Sequence, residues 1–217
     1  FNMTPDRFEK IKTILNRRQP DLTVVLDNIH KPHNIAAILR SCDAVGVGKI
    51  HAKSKSSQIG LNLKAASGSN HWVDVNVHNN LSELFQSIEE DNYTIFAANS
   101  SENAIDFRDV DYTRPTAIIL GAELDGVSKD SISFANQEIK IPMNGMVESL
   151  NVSVANAVIL YEIQRQRKEA GLYESKRLKK DDYDRLLFEF SYPEVAKILK
   201  KEGSPYPALD ATGQIIS

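Results

Sequence analysis

Short apolar runs of strand type alternate with helical periodicities along most of this chain, and that alternation constrains its fold more than any other feature. LTVVLD at 22–27, the run from Gly48 to Ser54, WVDVNV at 72–77, YTIFAAN at 93–99, TAIILG at 116–121 and EIKIP at 138–142 read as strands. Helices are expected between them, at 34–45, 61–66, 81–90 and 128–135, with a further one after Leu150. Strands separated by helices call for crossover connections, so the expected fold is α/β: a mostly parallel sheet with flanking helices. The 217 residues suffice for one good-sized core plus short extensions. Thr4-Pro5 reads as an N-cap and first helical residue, with Phe8, Ile11 and Leu15 following at helical spacing until Pro20. Beyond Arg167 the composition turns basic. The expected division is a helical N-terminal extension at 1–19, a main domain at 20–167 and a basic, partly helical C-terminal extension at 168–217.

Composition removes several function classes. A formal net charge of −3 gives no overall nucleic-acid signature, although Arg165, Arg167, Lys168, Lys176, Arg177, Lys179 and Lys180 form a local basic tract. The single cysteine, Cys42, excludes an internal disulfide and fits a reducing compartment. No apolar run is long enough to span a membrane and no signal-peptide pattern opens the sequence, so a cytoplasmic protein without membrane contact is expected. His30 and His33 lack a third ligand at suitable spacing, so no metal is expected.

Three stretches carry chemistry. In HNIAAILRSCDAVGV, Ile35, Ile38, Leu39 and Cys42 share one helical face, Asn34 is placed to cap the helix, and Arg40 projects off the stripe. Arg40 reads either as a solvated side chain or as a cation reaching a phosphate or hydroxyl at a cleft. ILGAELDGVS puts Gly121, Glu123 and Gly126 at the C-terminal end of a strand, where parallel α/β sheets bind ligands. It contains neither the dinucleotide fingerprint nor a P-loop. IPMNGMVESLNVSVANAVILYE passes from a strand through a loop into a helix that is apolar on nearly every side, and so is expected to be buried and capped by a serine. Ser149, Asn151, Ser153 and Asn156 lie in that run, and a buried unpaired polar group costs about 1–3 kcal/mol. Polar groups at the entrance of a buried helix point to a site, with the helix's unpaired amides as donors.

Taken in order and spacing over 20–167, these three stretches resemble the motifs of the SPOUT superfamily of RNA methyltransferases, in its SpoU/TrmH branch of ribose 2′-O-methyltransferases. The flanks RRQPDLTVVLDNIHKPHN, DYTRPTAIILG, LYEIQRQRKEAG and LLFEFSYP resemble the members of that branch acting on guanosine 18 in the D-loop of tRNA. The resemblance implies a C-terminal trefoil knot, involving the loops near 121–128 and 143–150, that binds S-adenosylmethionine. It also implies a homodimer with tRNA as partner. Carried over by position, Arg40, Asn34, Glu123, Ser149 and Asn151 match residues associated with activity. The donor pocket corresponds to Ala98, Asn99, Gly121, Ile141, Met143, Ser149 and Leu150. Ala98 departs from relatives with a hydroxyl residue there, which leaves only a backbone contact at that position.

The implied reaction is in-line attack of a ribose 2′-oxygen on the methyl of a sulfonium. Family accounts make the arginine corresponding to Arg40 a general base. Because guanidinium groups stay protonated in proteins, the alternative is a cation that holds the ribose-phosphate and stabilises developing alkoxide. Two other readings stay open: a same-fold enzyme acting on ribosomal RNA or another tRNA position, and a non-catalytic RNA-binding protein. Retention of Arg40, Glu123, Ser149 and Asn151 argues against the second.

Overall fold

The computed structural model describes residues 3–53, 72–90, 92–122 and 125–216. Contacts divide the chain into two compact units, Gln19–Gly171 and a second formed by Phe1–Arg18 with Leu172–Ser217.

In the larger unit, strands β1 (Leu22–Asp27), β2 (Lys49–Lys53), β3 (Asp74–His78), β4 (Thr94–Ala98), β5 (Ile105–Asp106), β6 (Thr116–Leu120) and β7 (Gln137–Lys140) form a seven-stranded sheet in the order β3-β2-β1-β6-β4-β7-β5. Every pairing is parallel. All the C-terminal ends therefore lie along one edge, which fixes where a ligand can be met by several loops at once. β1 and β6 are buried at every position, the pattern of central strands covered on both faces. Alternation then sorts their side chains. Val24, Leu26, Ile118 and Leu120 share one core with Ile35, Ile38 and Leu39 of helix α2 (Pro32–Ala44). Val25, Ala117 and Ile119 meet Leu84, Phe85 and Ile88 of α3 (Leu81–Glu89) in the other. A single helical turn, α4 (Lys129–Ile132), is capped by Ser128. The long helix α5 (Val152–Glu169) adds Ile159, Leu160 and Ile163 to the first core.

Several expectations shift. β5 was not foreseen: its two residues lie in an irregular stretch and pair with β7 only. The helix expected at 61–66 lies outside the described residues. α5 is not buried all round, because Val154, Val158 and Tyr161 are exposed on it by 48%, 37% and 52%. Its buried stripe runs instead through Val152, Asn156, Ile159, Leu160, Ile163 and Arg167. Nor is its cap a serine: Asn151 is the N-cap, its Oδ1 accepting from Ser153 N at 2.9 Å.

The C-terminal end of α5 is pinned by a fully buried arginine. Arg167 Nε donates to Tyr112 O (2.9 Å), Nη1 to Gln19 Oε1 (3.2 Å) and Asp21 Oδ1 (2.7 Å), and Nη2 to Asp21 O (3.3 Å) and Arg114 O (2.8 Å). A guanidinium has five N–H groups, and all five are accepted. Beside it, Gln166 Oε1 accepts from Tyr112 N and its amide donates to Val110 O. Arg165 lies on the surface between Glu162 and Glu169. The basic tract seen in the sequence is therefore corrected at its start: Arg167 is a core residue and Arg165 is paired within its own helix.

In the smaller unit, α1 (Pro5–Asn16) starts as its sequence dictates, with Thr4 Oγ1 accepting from Arg7 N at 3.3 Å and Pro5 in the first turn. Its stripe Phe8, Ile11 and Leu15 is buried. α6 (Lys180–Ser191) and α7 (Pro193–Glu202) follow Gly171, and Phe188 stacks on Tyr206 at 4.7 Å. The tail is tied back by Tyr192 Oη to Gly213 O and by Gln214 Nε2 to Met3 O.

Candidate active site

A cavity of about 330 Å³ opens at the C-terminal ends of β4, β6 and β7, within the range of small-molecule sites, about 300–1,000 Å³. Three loops and one helix build it. β4 runs into Ala98, Asn99 and Ser100, β6 into Gly121, Ala122, Asp125 and Gly126, and β7 into Ile141 and Met143. Glu148, Ser149 and Leu150 lead into α5, whose Val152, Ala155 and Ile159 close the floor. All seven residues expected for a donor pocket, Ala98, Asn99, Gly121, Ile141, Met143, Ser149 and Leu150, line this one cavity.

The turn after β6 leaves no room for a side chain at Gly121. A Cβ on Gly121 would lie 2.1 Å from the carbonyl carbon of Gly126 and 2.2 Å from Val127 N. Gly126 has φ +66° and donates from its amide to Ala122 O at 2.9 Å. A tight backbone turn thus forms one cavity wall, and glycine is required at both positions.

The residues expected to act divide into three groups. Asn34 does not cap α2, because Pro32 starts that helix after Lys31 and places Asn34 inside the first turn. There it is buried, 3% exposed, and its Oδ1 accepts from Asn151 Nδ2 at 3.2 Å. Since Asn151 Oδ1 is taken by Ser153, the Asn34–Asn151 bond ties the start of α2 to the cavity rim at the start of α5. Ser149 is on the rim and exposed. Arg40 is exposed on α2 and is not among the lining residues. Glu123 lies outside the described residues.

Sequence reasoning missed three charged positions in the lining, Asp125, Lys140 and Glu148, whereas Gly126 lines it as expected. Asp125 and Glu148 lie within two expected motifs, so their signal was adjacency to residues already singled out. The cavity offers two carboxylates, one ammonium and an apolar wall of Leu120, Ile139, Ile141 and Leu150. That set fits S-adenosylmethionine, a zwitterion with an added sulfonium charge and a flat adenine.

Two histidines form a separate pair on β2 and β3. His51 Nδ1 lies 2.9 Å from His78 Nε2. Burial, then the charges of Lys49 and His78, pushes His51 down to about 4. Burial also lowers His78, against the pull of Glu83 and aided by Lys49. No group of three or more metal-ligating side chains occurs among the described residues. No helix there is long and apolar enough to cross a membrane.

A parallel α/β domain with a ligand cavity at the carboxyl edge, roofed by a glycine turn and floored by a helix start, defines a small-molecule-binding enzyme class. Comparison narrows it. The sequence model described as the SpoU rRNA Methylase family matches residues 21–161, and that for the C-terminal part of SpoU rRNA methylases matches 165–217. The chain belongs to the SpoU methylase family. It is 47% identical over 215 residues to the tRNA (guanosine(18)-2′-O)-methyltransferase of Escherichia coli K12, covering 98% of this chain and 94% of that protein. The crystal structure of the A. aeolicus TrmH/SpoU tRNA modifying enzyme matches with a TM-score of 0.78 at 38% identity, over 88% of this chain and 97% of that one. The SpoU methyltransferase AviRb of Streptomyces viridochromogenes, solved with AdoMet, matches with a TM-score of 0.61 at 25% identity, over 70% of this chain and 59% of that one.

Proposed function

We propose that this chain is a tRNA methyltransferase that transfers a methyl group from S-adenosylmethionine to the ribose 2′-oxygen of guanosine 18. The observation that carries this reading is the single cavity lined by all seven expected donor-pocket residues. The likeness to tRNA (guanosine(18)-2′-O)-methyltransferases over nearly the whole length of this chain and of those proteins supports the substrate. In the cavity, Asp125 and Glu148 face the donor's cationic centres, Lys140 its carboxylate, and the apolar wall its adenine. When bound, S-adenosylmethionine supplies a methyl carbon already activated by sulfonium. The protein's remaining task is to position the reactants and to help the 2′-hydroxyl lose its proton. Arg40 holds the ribose-phosphate as a cation and stabilises the oxygen as charge develops. Asn34 and Asn151, bonded to each other, orient Arg40 or the ribose; Ser149 sits beside them on the rim; Glu123 fixes a wall or Arg40.

The same reading includes a trefoil knot at the loops 121–128 and 143–150, which both border the cavity. It includes a homodimer. The outward stripe Val154, Val158 and Tyr161, with Val147 in the adjoining loop, is an apolar face suited to a second copy. Val158→Glu should give a monomer in light scattering. The smaller unit grips RNA phosphates, supported by exposed Lys197, Lys200 and Lys201 on α7. Its contribution should weaken as salt rises. A cytoplasmic location follows from the substrate.

The test is to incubate unmodified tRNA with methyl-labelled donor and map the labelled nucleotide. Label at guanosine 18 supports the proposal. Label elsewhere overturns the position, and no incorporation overturns the enzyme.

A further inference from the structure

Asn99 and Glu138 form a pair that the reaction as described does not use. Asn99 follows β4, and its amide donates to Ile139 O of the neighbouring strand at 3.0 Å, which fixes its backbone. Across the β4–β7 register, Ala97 stands opposite Glu138. Side chains two apart share a face, so Asn99 and Glu138 project to the same side of the sheet. There Asn99 Nδ2 donates to Glu138 Oε2 at 2.6 Å. Glu138 is half-buried and is not among the residues lining the cavity, whereas Asn99 is.

The chemistry of this pair removes an ambiguity that an asparagine normally has. An amide can present either its oxygen or its nitrogen, and a neutral partner often accepts both arrangements. A carboxylate only accepts, so it binds the NH₂ end and forces the oxygen the other way. Asn99 Oδ1 accordingly points toward the glycine turn: a Cβ built on Gly126 would lie 3.2 Å from it. Among the described residues that oxygen accepts no hydrogen bond. The cavity thus carries one acceptor whose orientation is set from behind.

We propose that Glu138 is a positioning residue for donor recognition: by holding Asn99 Nδ2 it commits Asn99 Oδ1 to accept from an N–H or O–H group of the methyl donor. This rests on the reading of the cavity as the donor site. Glu138 touches no ligand itself and acts only through Asn99.

Calorimetric titration with S-adenosylhomocysteine tests it on the wild type, Glu138→Gln, Asn99→Ala and the double variant. Glutamine keeps the size of glutamate but can meet Asn99 with either end, so the amide is free to turn over. Glu138→Gln should raise the Kd about tenfold, the worth of one well-placed hydrogen bond. Added to Asn99→Ala it should raise it no further. In steady state the Glu138→Gln loss should fall on the donor KM more than on kcat, a split that general loosening of the sheet would not produce. An unchanged Kd for Glu138→Gln would overturn the positioning role. So would a full tenfold penalty persisting in the Asn99→Ala background. If the wild type itself failed to bind S-adenosylhomocysteine, the donor site would fall, and this role with it.

Discussion

The two ends of α5 both carry polar residues, and they use them in opposite ways. At the C-terminal end Arg167 is fully buried, and every N–H it has is accepted by protein. At the N-terminal end Asn151 and Ser149 are exposed: Asn151 bonds Ser153 and Asn34 at the start of the helix, and Ser149 lines the cavity. A polar group whose capacity is spent inside the protein is structure, whereas one left with capacity beside a cavity is available for chemistry. The same contrast separates the two arginines that the sequence brings forward. Arg40 is exposed on α2, and Arg167 is sealed.

The sharpest way to break this comparison is Arg167→Ala. It leaves the Asp21 carboxylate and four backbone or amide acceptors without this donor, and should cost about 3–5 kcal/mol in urea unfolding, the range for breaking a buried ion pair. A loss below about 1 kcal/mol would mean that Arg167 is not a pin. At the other end, Arg40→Ala should lower methyl transfer at least about 100-fold while the melting temperature stays where it was. Arg40→Lys refines this: substantial residual activity means charge suffices, and near-complete loss means the guanidinium geometry or a proton transfer is needed.

His51 and His78 fall between the two cases, since their bond needs one ring nitrogen to donate and the other to accept. His51 sits at about 4 in the folded protein, against about 6.5 in an unfolded chain. Because the folded value is depressed, the unfolded chain takes up the proton first. The stability is therefore fully present above about pH 6.5 and is lost as the pH falls towards 4. Unfolding measured at pH 7 and pH 5 should differ by on the order of 2 kcal/mol from this site, and His51→Asn should flatten the difference. Asn151→Ala should cost about 1 kcal/mol for the lost cap but impair methylation about tenfold; equal loss of fold and activity would erase its role at the rim. The smallest effect belongs to Arg165→Ala. That side chain is exposed between two glutamates, and removing it should change neither melting nor tRNA affinity.

Much of the fold was legible from local pattern. Thr4-Pro5 started α1 where expected, and the continuous apolar runs at 22–27 and 116–121 became the two central strands. The cavity's walls were legible as motifs, because Gly121, Met143 and Leu150 lie in stretches whose spacing is distinctive. Asn34 was misread because Pro32, two residues earlier, is the stronger start signal. Its partner Asn151 is 117 residues away, beyond any local pattern. β5 was too short for periodicity to detect.

By itself the sequence determined the alternation of strands and helices, the glycine turn after β6 and the polar entrance to α5, since each rests on neighbours two to four residues apart. Only the tertiary structure decided that Arg167 is a core residue, that α5 turns Val154, Val158 and Tyr161 outward, and that Glu138 holds Asn99. Those outcomes depend on which strands lie side by side. Strand order sets the partners of buried polar groups, and no period along the chain encodes it.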